Sequence, residues 1–224
     1  MSETGGADLR HVSTWLFDLD NTLYPLESGL AELTSSRITD YVEGLTGLPR
    51  DEAQALQKRY LAEHGLTLKG LMIHHGVDPD EYHAHINDVD LAVLAPDPAL
   101  RTALARLPGR RIIFTNADAG HAERVLVKLA VADLFDEVFH IASAAFVPKP
   151  SRGAFERVVA AHHIAPTETA FFEDTERNLE PAAELGMTTV LVGPGAEAST
   201  ASFVHHRAAD LRDFLAKAKI KETP

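Results

Sequence analysis

The sequence predicts an α/β protein: a doubly wound parallel sheet, interrupted after its first strand by an all-helical insertion. Three observations lead there. Short apolar, β-prone runs recur along the chain; amphipathic helical patterns separate most of them; and one long stretch near the N-terminus shows helical periodicity only. The first strand is Thr14 to Leu19 (TWLFDL), apolar nearly throughout, as a strand buried on both faces must be. The helical stretch runs from Tyr24 to about Pro96. Leu30, Leu33, Ile38, Tyr41, Val42 and Leu45 fall on one helical face there, and Ala53, Leu56, Tyr60 and Leu61 on another. Shorter helices are expected at Leu68 to His75 and Asp80 to Asn87. Strands resume at Arg111 to Thr115, Glu137 to Ile141, Thr169 to Phe172 and Thr188 to Val192. Helices at Gly120 to Leu129, Ser151 to His163 and Thr175 to Leu185 connect them, the last ending at Gly186, a residue suited to a left-handed C-cap. Ala208 to Lys219 reads as a final amphipathic helix. The expected division is a core from residues 1–24 and 96–224, with a helical block at 25–95 lying over the carboxyl edge of the sheet. Open α/β sheets bind their ligands at that edge.

The 224 residues are 45% apolar and 24% charged, ordinary values for a folded chain with a sizeable core. No cysteine is present, so disulfide and thiolate chemistry are excluded. No apolar run reaches the length of a membrane span, and Met1 to Arg10 lacks an apolar leader core, so a cytoplasmic protein is expected. A formal charge of −12 argues against a nucleic-acid polymer as partner, because phosphate backbones demand clustered Lys and Arg. It also sets a condition: to bind a small phosphorylated metabolite, the protein needs a metal ion and local donors that outweigh its own field.

Four groups of residues answer that condition, each at the carboxyl end of an expected strand. Asp18 and Asp20 follow the first strand, where one carboxylate can attack phosphorus while the other handles protons. Thr115 and Asn116 follow the second and can hold phosphate oxygens with a hydroxyl and backbone N–H groups near a helix start. Lys149, before Pro150, can neutralise the nucleophile and the phosphoryl oxygens together. Glu173 and Asp174 follow the fourth strand and offer oxygen ligands of the kind Mg²⁺ takes. Taken singly, each has a plain structural reading: an Asp-rich turn, a helix start, a solvated lysine, acidic residues at a helix N-terminus. Their order, at the ends of strands of one sheet, is what carries the inference.

That order (DxDxT, then Thr, then Lys, then an acidic pair) resembles the haloacid-dehalogenase-like hydrolase superfamily over roughly Trp15 to Val192. The resemblance implies a Rossmann-like core with an inserted cap and a Mg²⁺ cofactor. Asp18 would form an aspartyl-phosphate and ligate the metal. Asp20 would act as acid and base while its backbone carbonyl binds the metal. Thr115, with the Asn116 backbone, and Lys149 would hold the phosphoryl group. Asp174 would complete the protein ligands, Glu173 reaching the metal directly or through a water, and Asn178 would order the loop. A cap of this kind implies small substrates rather than phosphoproteins. The presence of Asp20 points to phosphate esters, since a halide leaving group needs no acid.

Asp20-Asn21-Thr22-Leu23-Tyr24-Pro25, His64 to Leu71, Asp80 to His83 and Phe114 to Ala117 are similar to the pyrimidine 5′-nucleotidase branch, which implies UMP or CMP as substrate. Family members often carry Asp-Asp-Ser where this chain has Glu173-Asp174-Thr175, a change that keeps a charge and a hydroxyl. Lys69 is a candidate substrate contact or an ordinary exposed lysine; Tyr24 stacks on a substrate ring or packs between core and cap. His74, His75, His83 and His85 match no strong zinc spacing, and a metal role is not expected of them. The rival readings are a sugar-phosphate phosphatase or phosphomutase, a haloacid dehalogenase and a non-catalytic metabolite-binding protein. The intact set of Asp18, Asp20, Thr115, Lys149 and Asp174 speaks against the last of these.

Overall fold

Six strands form one parallel sheet in the computed structural model, which describes residues 6–221. Part of the segment 1–10, considered above for a leader, lies outside the described residues. The strands are β1 (Thr14–Phe17), β2 (Arg110–Phe114), β3 (Glu137–Phe139), β4 (Thr169–Glu173), β5 (Thr188–Val192) and β6 (His206–Ala208), in the spatial order β3-β2-β1-β4-β5-β6. The chain thus winds outward from β1 in one direction and then, from β4, in the other. This reversal beside β1 is where an open α/β sheet leaves a crevice at its carboxyl edge.

Alternation along the strands builds two cores. Leu16, Ile112, Phe114, Phe171 and Leu191 face the helices α7 (Arg152–His162) and α8 (Glu180–Glu184), packing with Phe155, Val158 and Ala182. On the opposite face Phe17 stacks on Phe172 at 4.6 Å, and Phe172 meets Phe214 of α9 (Leu211–Lys217) edge-on at 6.0 Å. The helix α5 (Pro98–Ala105) packs against α9, and α6 (Ala119–Lys128) against β3. The rings of Phe17, Phe114, Phe155, Phe171 and Phe172 are wholly buried, which at roughly 25 cal/mol per Å² makes them major contributors to stability.

A second compact unit, Leu26–Leu94, is entirely helical: α1 (Leu30–Thr46), α2 (Arg50–His64), α3 (Thr67–His75) and α4 (Pro79–Ile86), with 3-10 turns at either end. Leu30 and Val42 are buried as their periodicity predicts, but Leu33 and Leu45 are 40% exposed and Leu61 44%. The stripe on α1 is rotated toward Thr39, whose hydroxyl pairs with the buried Gln57 of α2 at 2.6 Å. Two polar side chains satisfy each other there, so the apolar pattern alone misplaces the face. Gly70 lets α3 lie against α2, since a Cβ would stand 2.4 Å from the Tyr60 ring.

Several expectations need correction. Thr175 to Leu185 is not one helix: a 3-10 turn at Glu176–Asn178 precedes the short α8, because Pro181 in its first turn cannot donate a backbone hydrogen bond. Gly186, at φ 92°, does close that segment. The strand β6, three residues beginning with His206 and Arg207, has no apolar run to announce it, and the final helix starts after it, capped by Asp210. The helix α5, capped by Asp97, lies outside the expected elements. Ser151 stands at the N-cap of α7 but makes no side-chain capping bond.

The turn into β2 depends on Gly109, at φ +81°, where a Cβ would lie 2.1 Å from the Ser13 carbonyl oxygen, just ahead of β1. Gly109→Ala is therefore expected to cost about 2–4 kcal/mol of stability, from left-handed strain and a backbone clash together. Urea denaturation checks this; an unchanged midpoint with an unchanged slope contradicts it.

Candidate active site

The register of the central strands assembles the site. Phe17 pairs with Ile113 of β2 and with Phe172 of β4. The next residue in each strand direction is therefore level at the carboxyl edge: Asp18, Phe114 and Glu173. Asp18 is fixed by its own backbone, whose N–H donates to the Phe172 carbonyl at 2.9 Å. Lys149 comes from the loop before α7, and Asn116 fastens that loop. The Asn116 Oδ1 accepts from the Lys149 N–H at 2.8 Å, while its Nδ2 donates to the Lys149 carbonyl at 3.2 Å. So Asn116, expected to contribute backbone donors, uses its side chain to hold the lysine.

Lys149 is 2% exposed, and its ammonium donates three hydrogen bonds: to Asp18 Oδ1 at 2.7 Å, to Glu173 Oε2 at 2.7 Å and to the Phe114 carbonyl at 2.8 Å. That satisfies all its protons. Asp18 Oδ2 accepts from the Thr22 hydroxyl at 3.2 Å, and Glu173 Oε1 from the Thr175 N–H at 3.2 Å. Asp174 is half-buried beside them.

Charge does not balance within this cluster. Asp18, Glu173 and Asp174 bring ligand oxygens within 4.8 Å of one another, the single such group among the described residues, against one lysine. Burial, reinforced by the Glu173 charge, pushes Asp18 up to about 7 despite Lys149. Burial raises Glu173 and Asp174 as well, with Asp174 adding to Glu173 and Asp18 to Asp174. Burial alone would lower Lys149, but the two carboxylates in contact with it outweigh that and raise it. Three convergent carboxylates with one compensating cation fit a divalent metal, and an all-oxygen donor set fits a hard one such as Mg²⁺.

Asp20 stands apart from this cluster. Its Oδ1 accepts two hydrogen bonds, from the Tyr24 hydroxyl and, at 2.7 Å, from His121 Nε2. Burial would raise Asp20, but His121 and Tyr24 overcome it and hold the carboxyl below its ordinary value. The turn after Asp20 is made by Asn21 at φ 61°, a left-handed conformation that Asn tolerates better than most residues. Sequence reasoning missed His121. The available signal was a histidine in the first turn of α6, three residues after the Asp118 N-cap, where side chains lean toward the helix start.

The remaining expected residues divide. Thr115 is 2% exposed, its hydroxyl oxygen accepting from the Ala117 N–H at 3.0 Å. Asn178 is buried and closes its turn by a backbone bond to Thr175. Tyr24 is 4% exposed, with its hydroxyl engaged by Asp20. Lys69 lies on α3, in the helical unit. Of the histidines there, His74 pairs with His64 at 3.2 Å and His75 with the Tyr60 hydroxyl at 2.9 Å.

Comparison with known proteins bears on this geometry. Residues 12–186 match the family model of the haloacid dehalogenase-like hydrolases. Phosphate metabolism protein 8 of Saccharomyces cerevisiae is 30% identical over 194 residues, covering 79% of this chain and 60% of the yeast protein. The chain thus spans less than two thirds of that relative. A glyceraldehyde 3-phosphate phosphatase of Methanopyrus kandleri is 26% identical over 201 residues, covering 80% of this chain and 83% of the enzyme. Among solved structures, a HAD phosphatase from Thermococcus onnurineus has a TM-score of 0.63 at 19% identity, covering 92% of this chain and 99% of that one. The L-2-haloacid dehalogenase of Xanthobacter autotrophicus, with chloropropionic acid covalently bound, has a TM-score of 0.58 at 15% identity, covering 92% and 97%. At such identities the structures attest the fold alone. No helix among the described residues is long and apolar enough to cross a membrane.

The raised acids yield a pH-dependent prediction. An acid whose folded pKa lies above its unfolded value adds stability that is complete below the unfolded value and lost as pH rises through the folded one. For Asp18 that window runs from 3.8 to about 7. Metal-free protein should weaken across it, and Mg²⁺ bound by the ionised carboxylates would restore what is lost. The gain in melting temperature on adding Mg²⁺ to chelator-treated protein is expected to be larger at about pH 8 than at about pH 5. Equal gains at both would contradict the charge argument.

Proposed function

The chain belongs to the haloacid dehalogenase-like hydrolases, and from that premise we propose that it is a Mg²⁺-dependent phosphomonoester hydrolase with Asp18 as nucleophile. The observation that carries this reading is the pairing of Asp18 with Lys149 at 2.7 Å, two residues from a second carboxylate held by other partners. One carboxylate is oriented for attack while the other remains outside the metal-type cluster, available for protons.

Asp18, Asp174 and the Asp20 carbonyl would hold Mg²⁺, which would supply positive charge against the phosphoryl oxygens. The chain's own residues do the rest. Asp18 attacks phosphorus, the bond to the ester oxygen breaks, and Asp20 gives that oxygen its proton, releasing the alcohol. A water then attacks phosphorus of the aspartyl-phosphate and passes its proton to Asp20, freeing phosphate and the Asp18 carboxylate. Thr115, whose oxygen already accepts from Ala117, has its hydroxyl proton to donate to the phosphoryl group. Lys149 holds Asp18 in place and limits repulsion between two anions. Glu173, with both oxygens engaged, keeps the lysine in position.

For substrate we propose pyrimidine nucleoside monophosphates, UMP and CMP, supported by the stretches Asp20 to Pro25, His64 to Leu71 and Phe114 to Ala117. We assign the unit Leu26–Leu94 the role of a cap that selects the leaving group, with Lys69 as a candidate contact. The second reading, a sugar-phosphate phosphatase, draws on the relative named for glyceraldehyde 3-phosphate. Ranking kcat/KM across nucleoside monophosphates and sugar phosphates decides between them, and free phosphate without isomerised product separates hydrolysis from a mutase. Asp18→Asn is expected to abolish phosphate release, with its circular dichroism spectrum unchanged. Chelation should remove activity and Mg²⁺ return it. Undiminished turnover by the variant, or turnover indifferent to the metal, sinks the assignment.

A further inference from the structure

We propose that Tyr24 and His121 are positioning residues that clamp one oxygen of Asp20 and so select the other as the atom that exchanges the leaving-group proton. The inference rests on the hydrolase reading above and adds to it a mechanism for aiming the acid.

Both donors reach the same atom. The Tyr24 hydroxyl and His121 Nε2 each bond Asp20 Oδ1, and no hydrogen bond from the described residues reaches Oδ2. The Asp20 side chain keeps 34% exposure while that of His121 keeps 6%, so the clamp is buried and the carboxylate it holds still presents a face. An unrestrained aspartate rotates freely enough to exchange its two oxygens. Two donors on one oxygen oppose that exchange and leave Oδ2 as the oxygen to which no described residue donates. A proton must be delivered within hydrogen-bond reach of the leaving atom, so this orientation lowers the cost of the step.

The two donors come from unrelated parts of the chain, which gives the clamp rigidity. Tyr24 lies four residues beyond Asp20, across the turn made by Asn21. His121 lies 101 residues away, in the first turn of α6, and its own backbone is held by the Asp118 side chain at 3.2 Å. The loop after β1 is thereby pinned to the helix after β2. Asp18 needs no such help, since Lys149 and Thr22 already occupy its two oxygens.

The test uses leaving-group dependence, which a merely structural role would not alter. Phenyl phosphate and p-nitrophenyl phosphate have similar shapes, but only the poorer leaving group, phenolate, needs its proton during bond cleavage. Tyr24→Phe and His121→Leu should lower kcat/KM for phenyl phosphate by about tenfold or more, and for p-nitrophenyl phosphate by a distinctly smaller factor. His121→Gln, which keeps an N–H donor, should recover much of the loss. Mg²⁺-induced thermal shifts should persist in all three. Equal losses on both esters, or no loss on either, overturn the clamp. Should a His121 variant fail to fold, Tyr24→Phe removes a single oxygen and its pair of rate constants decides the question alone. Wild-type protein that releases phosphate from no phosphate ester, UMP, CMP and sugar phosphates included, overturns the hydrolase reading, and the clamp's catalytic purpose with it.

Discussion

One buried ammonium holds the active edge together. Lys149 donates to groups at the carboxyl ends of three adjacent strands: Asp18 after β1, the Phe114 carbonyl of β2 and Glu173 at the end of β4. A buried charge is tolerated only when it is paired and hydrogen-bonded, and breaking such an arrangement by deleting one partner typically costs about 3–5 kcal/mol. Here the pairing also demands alignment. If β2 or β4 slipped by one residue against β1, the carbonyl or the carboxylate would leave the ammonium and every side chain of the slipped strand would change face. The sheet register and the site geometry are therefore one constraint, enforced from both ends: by the aromatic packing of Phe17 on Phe172 below the site and by the ion pairs above it.

Under the proposed function, the same cluster, once it holds a divalent ion, would let a chain of net charge −12 accept an anionic phosphate. Long-range repulsion is screened within roughly 10 Å at ordinary ionic strength, whereas groups in contact act through a poorly polarisable surround. The Phe114 and Phe171 rings lie 5.1 and 5.3 Å from the ammonium, adding cation–π attraction and keeping water out. Their effect reaches the carboxylates too. Deprived of water and supplied with one cation for three negative groups, they favour a divalent ion far more than an exposed acidic patch would.

Much of this was legible in the sequence for a chemical reason. The proposed nucleophile, acid, lysine and metal ligands must be particular residue types, and buried parallel strands must be apolar, so both leave compositional marks. Asp18, Lys149, Glu173 and Asp174 accordingly converge as their positions after apolar runs led one to expect. What was hidden is geometry carried by common residues. His121 looks like any helical histidine until the fold brings Asp20 within 2.7 Å, and the Asn116 side chain's grip on the Lys149 backbone spans residues that no local pattern relates. The strand β6, with His206 and Arg207 in a three-residue run, borrows its existence from pairing with β5. Thr39 and Gln57 show the limit from the other side, since a satisfied polar pair can occupy a core position that periodicity assigns to leucine.

Two carboxylates two residues apart, of identical chemistry, end in opposite electrostatic states. Asp18 is raised, mainly by burial and by Glu173; Asp20 is lowered, because His121 and Tyr24 outweigh its burial. Acid and nucleophile roles are commonly separated by environments that push two such groups apart. For the proposed roles the signs run the wrong way at first sight, since a nucleophile should be ionised and an acid protonated. The resolution lies in what each group meets during the reaction. A divalent cation beside Asp18 favours its ionised form, reversing the shift that burial imposes. A phosphate dianion brought against Asp20 adds like charge and raises it toward the protonated form. Under the proposed roles, each shift would thus be opposed by what the group meets in the reaction, the metal for Asp18 and the phosphate for Asp20.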